Sequence, residues 1–261
     1  MTKKGDISDA RILITNDDGI DAEGIRVLEQ IALSVCKNVM VVAPVVQQSG
    51  TGHSFTLHRP MRVDKRDDTH YAVDGTPTDC VLYACRCLMK NKQPDLVLSG
   101  INLGMNAGSD ILYSGTVGAA IEGALLGIRS VAFSMCGVDF SVPSSWQTPL
   151  AVGADVLKKL YAAEWSEKTV MNVNFPDIKP EKLRGIAVVS LGNSKIGNKL
   201  YPEKNYAGRD FFWISPEREF HDKKNASTDI GALFRGDTVT VTPVALPSTD
   251  ETALATLKKI F

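Results

Sequence analysis

Two neighbouring carboxylates, Asp17 and Asp18, follow the apolar run Arg11-Ile-Leu-Ile-Thr15 and precede Gly19. Adjacent residues inside a strand point to opposite faces. The two acids converge only if the backbone turns there, and glycine permits the turn because it adopts positive φ at no steric cost. Side-by-side carboxylates repel one another, and a divalent cation would relieve that repulsion. The competing reading of Asn16-Asp17-Asp18-Gly19 is an Asx-rich turn that caps the strand. Three further segments carry complementary groups. Gln47 to Ser54 offers hydroxyls and amides, Ser49 among them, that suit phosphate oxygens or a metal, although such a segment taken alone is more often a mobile surface loop. Ser99 to Gly108 holds Asn102, Gly104 and Asn106, and the Asn102 amide can supply a carbonyl oxygen to a cation. It leads into Ser114-Gly115-Thr116, a helix start that favours an anion, or one that Ser114 simply caps. Gly75 to Cys80 is another helix start, with Thr76 or Thr78 as its cap.

The elements between these segments give them a common position. Residues 11–15, 39–43, 95–98, 130–134 and 170–174 read as strands, and the first two are apolar runs without polar alternation, the pattern of strands buried on both faces of a parallel sheet. Helical spacing falls between them, over 23–35, 77–89, 116–127 and 147–163, and 61–65 with 71–73 reads as a short hairpin. Alternating strands and helices predict an open α/β sheet with helices on both faces. Loops after the strands then lie at the carboxyl edge, where such sheets bind ligands. A carboxylate pair, a hydroxyl, an amide and a helix start sharing one crevice would be equipped for metal-assisted attack on a phosphate ester. Beyond residue 184 the pattern shifts to β-segments at 185–190, 211–214 and 238–242, a Gly/Asn/Lys-rich stretch over 192–209 without a clear element, and a tail helix over 249–261. A soft boundary near 180 would separate an α/β core (1–180) from a smaller β-rich region (181–261) that is inserted in it or packs on it. The polar residues 1–9 are expected to fray.

Composition narrows the field. The chain has 261 residues, enough for a full core, and a net charge of −1, which argues against steering onto nucleic acid or an anionic membrane. No apolar run nears the ~20 residues that span a bilayer. The start lacks an apolar leader, so a cytoplasmic location is expected. Five cysteines without a CxxC pair read as free thiols of a reducing compartment. Asp17, Asp18, Ser49 and Asn102 offer only oxygen, which favours Mg²⁺ or Mn²⁺ over zinc. His53 lies in the second loop, where surface placement competes with a role as acid or substrate contact. Gly192-x4-Gly197 is followed by Asn198 and is no P-loop, and neither a dinucleotide fingerprint nor a GxSxG elbow is present.

Ile12 to Gly19, Ala43-Pro44 to Ser49, Gly75 to Cys80, and Ser99 through Asn102 to Ser114-Gly-Thr-Val117 together resemble the SurE survival-protein phosphatases, the 5′/3′-nucleotidases. Asn172 to Pro176, Phe212-Trp-Ile214 and Thr228-Asp229 to Pro243 resemble later segments of that family, so the likeness spans nearly the whole of residues 11–261. The resemblance implies a Rossmann-like α/β domain with a C-terminal β-rich region that builds homodimers or homotetramers, often by exchanged segments. It implies a metal-dependent phosphomonoesterase for nucleoside 5′- and 3′-monophosphates, with short polyphosphate as a further substrate. It also implies one divalent ion per subunit on Asp17, Asp18, Ser49 and Asn102.

A mechanism follows as an expectation: an activated water attacks phosphorus in line with the leaving nucleoside oxygen, and Asp17 and Asp18 are the catalytic acids that hold the ion. Asn16, Gly104, Asn106, Ser114, Gly115 and Thr116 would contact the phosphate. A covalent aspartyl route ranks second, because metal-holding carboxylates are poorer nucleophiles. Two positions depart from the family pattern: Val45 and Gln48 stand where Asp and Arg are common, which removes a positive charge near the phosphate. Glu23 also replaces a common proline. The alternatives are a phosphatase for a non-nucleotide ester and a non-catalytic metabolite-binding module.

Overall fold

The structure, a computed structural model, describes residues 6–137 and 144–261. Residues 1–5 of the expected frayed start lie outside the described residues, and Ile7–Asp9 forms a 3-10 turn. The chain then runs β1 (Arg11–Thr15), α1 (Glu23–Leu33), β2 (Asn38–Pro44), β3 (Val63–Lys65), β4 (His70–Val73) and α2 (Pro77–Tyr83). It continues through β5 (Leu96–Leu103), α3 (Gly115–Leu125), β6 (Arg129–Cys136), α4 (Gln147–Ala162) and β7 (Thr169–Pro176). The C-terminal part comprises β8 (Gly185–Val188), β9 (Ser194–Ile196), β10 (Leu200–Lys204), β11 (Asp210–Ile214), β12 (Arg218–Phe220), α5 (Asp229–Arg235), β13 (Thr238–Ala245) and α6 (Glu251–Leu257).

Nine strands form one sheet in the order β3-β4-β2-β1-β5-β6-β7-β13-β8. The run from β4 to β7 is parallel throughout, β3 pairs antiparallel with β4, and β13 pairs antiparallel with β7. Period-two alternation divides the core. Ile12 and Ile14 of β1 pack with Leu28 of α1 and Leu157 of α4 on one face. Leu13 packs with Val81 of α2 and Ala119 of α3 on the other. Helices thus cover both faces, as the unbroken apolar strands require.

The expected boundary near 180 is not an edge of the sheet, because β8 and β13 both join it. Residues 99–103, read as the start of a Gly-rich loop, extend β5 instead: Asn102 and Leu103 pair with Ser134 and Met135 after a register shift. The helix expected over 77–89 ends as α2 at Tyr83 and continues as a single π turn, Ala84–Leu88. The stretch 192–209 holds β9 and β10, and two separate two-stranded ribbons, β9–β12 and β10–β11, stand outside the main sheet. All five cysteines are unpaired.

Candidate active site

The end of β1 carries the two aspartates, and the local turn sets them apart. Asn16 bridges the turn, donating its Nδ2 to the Gly19 carbonyl at 2.8 Å and accepting the Gly19 amide at 3.2 Å. Gly19 takes φ +104°, so the chain reverses where a β-carbon would be strained. The backbone carbonyl of Asp17 accepts the Gln48 amide at 2.7 Å, which ties this turn to the loop after β2. Asp17 faces the start of α3, where its Oδ1 accepts the Thr116 hydroxyl at 2.5 Å. Asp18 faces the end of β5, where its Oδ2 accepts the Leu103 amide at 3.1 Å. Burial pushes the Asp17 carboxyl up to about 6, opposed by the Thr116 hydroxyl and reinforced by the charge of Asp18. Burial also raises Asp18, against the Leu103 amide and the Gln47 side chain.

A cavity of about 370 Å³ opens beside Asp17. Ser49, Asn102, Gly104, Asn106 and Ser114 share its lining with Asp17, so six of the expected residues meet at the carboxyl edge, whereas the part-buried Asp18 is not among the lining residues. Asn102 donates its Nδ2 to the Gly104 carbonyl at 2.7 Å, and its Oδ1 accepts no hydrogen bond among the described residues. Asn106 is held from three sides. Its Nδ2 donates to Ser134 Oγ, its amide donates to Asn174 Oδ1, and its carbonyl accepts from Asn172 and Asn174. Ser114 caps α3 by accepting the Val117 amide at 3.1 Å while lining the cavity.

Of the other expected phosphate contacts, Gly104 lines the cavity with its amide engaged, and Asn16, Gly115 and Thr116 lie outside the lining. Asn16 is fully buried and spends both ends of its amide on Gly19, so it shapes the turn and does not line the cavity. The Gly104 amide donates to the Met135 carbonyl at 3.1 Å and is unavailable to a phosphate. Thr116 is likewise buried and spends its hydroxyl on Asp17. Gly115 is needed for space: a β-carbon there would lie 2.8 Å from Asp17 Cβ. His53 meets Glu122 of α3 at 2.7 Å, which pins the loop bearing Ser49 and Thr51 along that helix.

The donor set itself tests whether a metal fits. Neither Asp17 nor Asp18 forms an ion pair among the described residues. Among those residues no cluster of three or more His, Cys, Asp or Glu could hold a metal ion. What remains is two carboxylates without a protein cation, the free Asn102 Oδ1 and the exposed Ser49 hydroxyl. An all-oxygen set of this kind fits a hard divalent ion.

Residues 12–198 match the family described as Survival protein SurE. The chain belongs to the SurE family. The 5′-nucleotidase SurE of Paramagnetospirillum magneticum is 45% identical, over 98% of this chain and 97% of that protein. The one from Rhodospirillum rubrum is 41% identical, with 98% of each chain covered. The crystal structure of the SurE protein from Aquifex aeolicus superposes with a TM-score of 0.83 at 39% identity, over 96% of this chain and 99% of that one. Sequence reasoning missed the wall supplied from the C-terminal part, Ile196 and Arg218, and two residues before α3, Asp110 and Tyr113. No motif marks these four, because they come from two stretches more than eighty residues apart.

Proposed function

We propose that this chain is a metal-dependent phosphomonoesterase that hydrolyses nucleoside 5′- and 3′-monophosphates. The observation that carries the reading is Asp17, a buried carboxylate without a partner cation of the protein, on the wall of a cavity of about 370 Å³, with the part-buried carboxylate of Asp18 next to it in the chain. That volume lies in the range of small-ligand sites. The names of the Paramagnetospirillum and Rhodospirillum relatives support a 5′-nucleotidase.

Asp17, Asp18, Asn102 and Ser49 would hold an Mg²⁺ or Mn²⁺ ion. When bound, the ion supplies positive charge that offsets the carboxylates and the phosphoryl oxygens and eases the deprotonation of water. The chain's own groups do the rest. The Thr116 hydroxyl fixes Asp17 in one orientation and favours its ionised form. Asn106, immobilised by Ser134, Asn172 and Asn174, presents a preorganised polar wall to the phosphoryl oxygens. The start of α3 contributes its partial positive charge beside Ser114. Water forms a bond to phosphorus, the bond to the nucleoside oxygen breaks in line, and that oxygen takes up a proton.

The working form in this proposal is a homo-oligomer in a reducing, cytoplasmic setting. Phe212, Trp213 and Ile214 of the β10–β11 ribbon stand 64–66% exposed, apolar surface that a second copy of this chain would cover. No helix among the described residues is long and apolar enough to cross a membrane. The test is phosphate release from 5′- and 3′-monophosphates of each nucleoside, set beside glycerol phosphate and short polyphosphate. Turnover of the nucleotides ahead of glycerol phosphate is the expected result. Preference for the non-nucleotide ester, or no turnover with either metal, refutes it.

A further inference from the structure

Arg218 is the only cationic side chain among the described residues that line the cavity. It arrives from far along the chain, on the β9–β12 ribbon, where it is the cross-strand partner of Ile196. The ribbon is clamped onto the loop before α3. Ser194 of β9 is buried, its Oγ accepts the Ser109 amide at 3.2 Å, and it lies 3.3 Å from both the Ala107 carbonyl and Asp110 Oδ1. A β-carbon on Gly108 would come within 2.6 Å of that Oγ, so the close approach depends on the glycine. Asp229 fastens the same loop to the ribbon's base by accepting the Gly108 amide at 2.9 Å and the Gly192 amide at 2.7 Å.

Arg218 is therefore held in place. Its Nε donates to the buried carboxylate of Asp110, while its Nη2 has no hydrogen-bond partner among the described residues. Beside it on the cavity wall are Ile196 and Tyr113. The Tyr113 ring is itself pinned, because Lys195 donates to its hydroxyl at 3.1 Å and sits 4.9 Å from the ring centre. Two properties of this corner decide what it would bind. The guanidinium charge is already offset by Asp110, so a phosphate dianion gains little there. The neighbouring surface is aromatic and aliphatic, which suits a flat, weakly polar group with an acceptor on its edge.

We propose that Arg218, with Tyr113 beside it, is the specificity-determining residue that receives the nucleobase of the substrate, its free Nη2 donating to an acceptor on the base edge. The inference rests on the nucleotidase reading. It also gives the C-terminal ribbon a part in choosing the substrate, while the β1, β2 and β5 loops deal with the phosphate. Gln48 then needs no replacement charge from this corner, because Arg218 serves the leaving nucleoside and not the phosphoryl group.

Ribose 5-phosphate provides the test, since it keeps the sugar and the phosphate and lacks the base. The quantity measured is kcat/KM for adenosine 5′-monophosphate divided by kcat/KM for ribose 5-phosphate, in the parent, R218Q and R218K. The parent is expected to favour the nucleotide, and R218Q to lower the ratio about tenfold, the loss typical of one hydrogen bond from a charged donor. R218K preserves a cation opposite Asp110 and so keeps the ribbon in place, with a melting temperature nearer the parent's, but it lacks the planar fork and leaves the ratio low. Restoration of the ratio by lysine would mean that Arg218 only braces the ribbon and would overturn the proposal. A parental ratio in both variants would overturn it too, with the nucleotidase reading intact. A parent that treats ribose 5-phosphate and the nucleotide alike would overturn both.

Discussion

The substitution G115A separates the geometry of the site from the stability of the fold. Gly115 opens α3 against the turn that holds the aspartates. A β-carbon there would lie 2.8 Å from Asp17 Cβ, 3.0 Å from Asp17 Oδ2 and 3.0 Å from Thr51 Oγ1. Carbon atoms in contact prefer about 3.5–4.0 Å, so something must yield by roughly 0.7 Å or more. The helix start is fixed by the Ser114 cap, and the Asp17 backbone by the Gln48 amide. The displacement therefore falls on the Asp17 side chain and on its 2.5 Å hydrogen bond from Thr116. Misplacing a catalytic group by about 1 Å costs on the order of 100-fold in rate. Overpacking costs about 1–3 kcal/mol of stability, of which alanine's better helix propensity returns up to about 1 kcal/mol. The expectation is a small change in melting temperature with a rate loss near 100-fold. The assay is phosphate release from adenosine 5′-monophosphate with saturating Mn²⁺, paired with thermal unfolding. G123A is the companion, since its β-carbon would meet Ser130 Oγ at 2.4 Å, away from the cavity, and should cost stability rather than rate per folded molecule. A G115A protein with the parental rate and an unshifted melt would refute the reasoning.

D229A should cost about 3 kcal/mol or more in denaturant unfolding, because it strands the buried amides of Gly108, Gly192 and Ile230 that now donate to Asp229; a cost below about 1 kcal/mol would contradict this. Burial alone would lower the His70 pKa, but the hydrogen bonds that the imidazole donates to Asp67 and Glu29 outweigh it and leave the imidazole above its usual value. The stabilisation is then fully present below the unfolded value and lost as pH rises through the folded one, so the deficit of H70Q relative to the parent should shrink as pH rises above about 6.5. A deficit that grows over that range would reverse the sign of the argument. If a second copy covers the β10–β11 ribbon as proposed, replacing Phe212 and Trp213 together with glutamate should give a smaller species in light scattering, because charges would take the place of the exposed apolar face. An unchanged mass, or a parent already monomeric, would remove the second copy from the account.

The central sheet was legible because its strands are buried on both faces. Ile12, Leu13 and Ile14 are all fully buried, and unbroken apolar runs announce that situation without ambiguity. The far end of β5 was hidden by its glycine. Gly100 takes φ +135°, and a β-carbon there would lie 2.2 Å from the Phe133 carbonyl, so the residue that reads as a loop marks a close approach between paired strands. β11 was legible over 211–214, but its partner β10 and the β9–β12 ribbon were hidden for the opposite reason. Polar, two-sided strands such as Leu200–Lys204 carry no alternation, because they bury no face within one chain. At the site, Asp17, Ser49, Asn102, Asn106 and Ser114 were legible from residue type combined with position after a strand. Their division of labour was not. That Asn16, Gly104 and Thr116 spend their polar groups on the protein itself depends on partners, and for Thr116 the partner is 99 residues away. Arg218 was the least accessible of all, a single arginine in a polar stretch whose meaning comes from Asp110, 108 residues earlier.

The central claim is that Asp17, on the cavity wall, and Asp18, its neighbour in the chain, act together by holding a hard cation. It is tested most directly by phosphate release from a nucleoside 5′-monophosphate, measured after stripping with EDTA and again after adding Mn²⁺, in the parent and in D18N. The stripped parent should be inactive and recover with Mn²⁺, while D18N, folded by its melting curve, should stay inactive in excess metal. Turnover by the stripped parent, or a D18N protein that recovers the parental rate with Mn²⁺, would contradict the account.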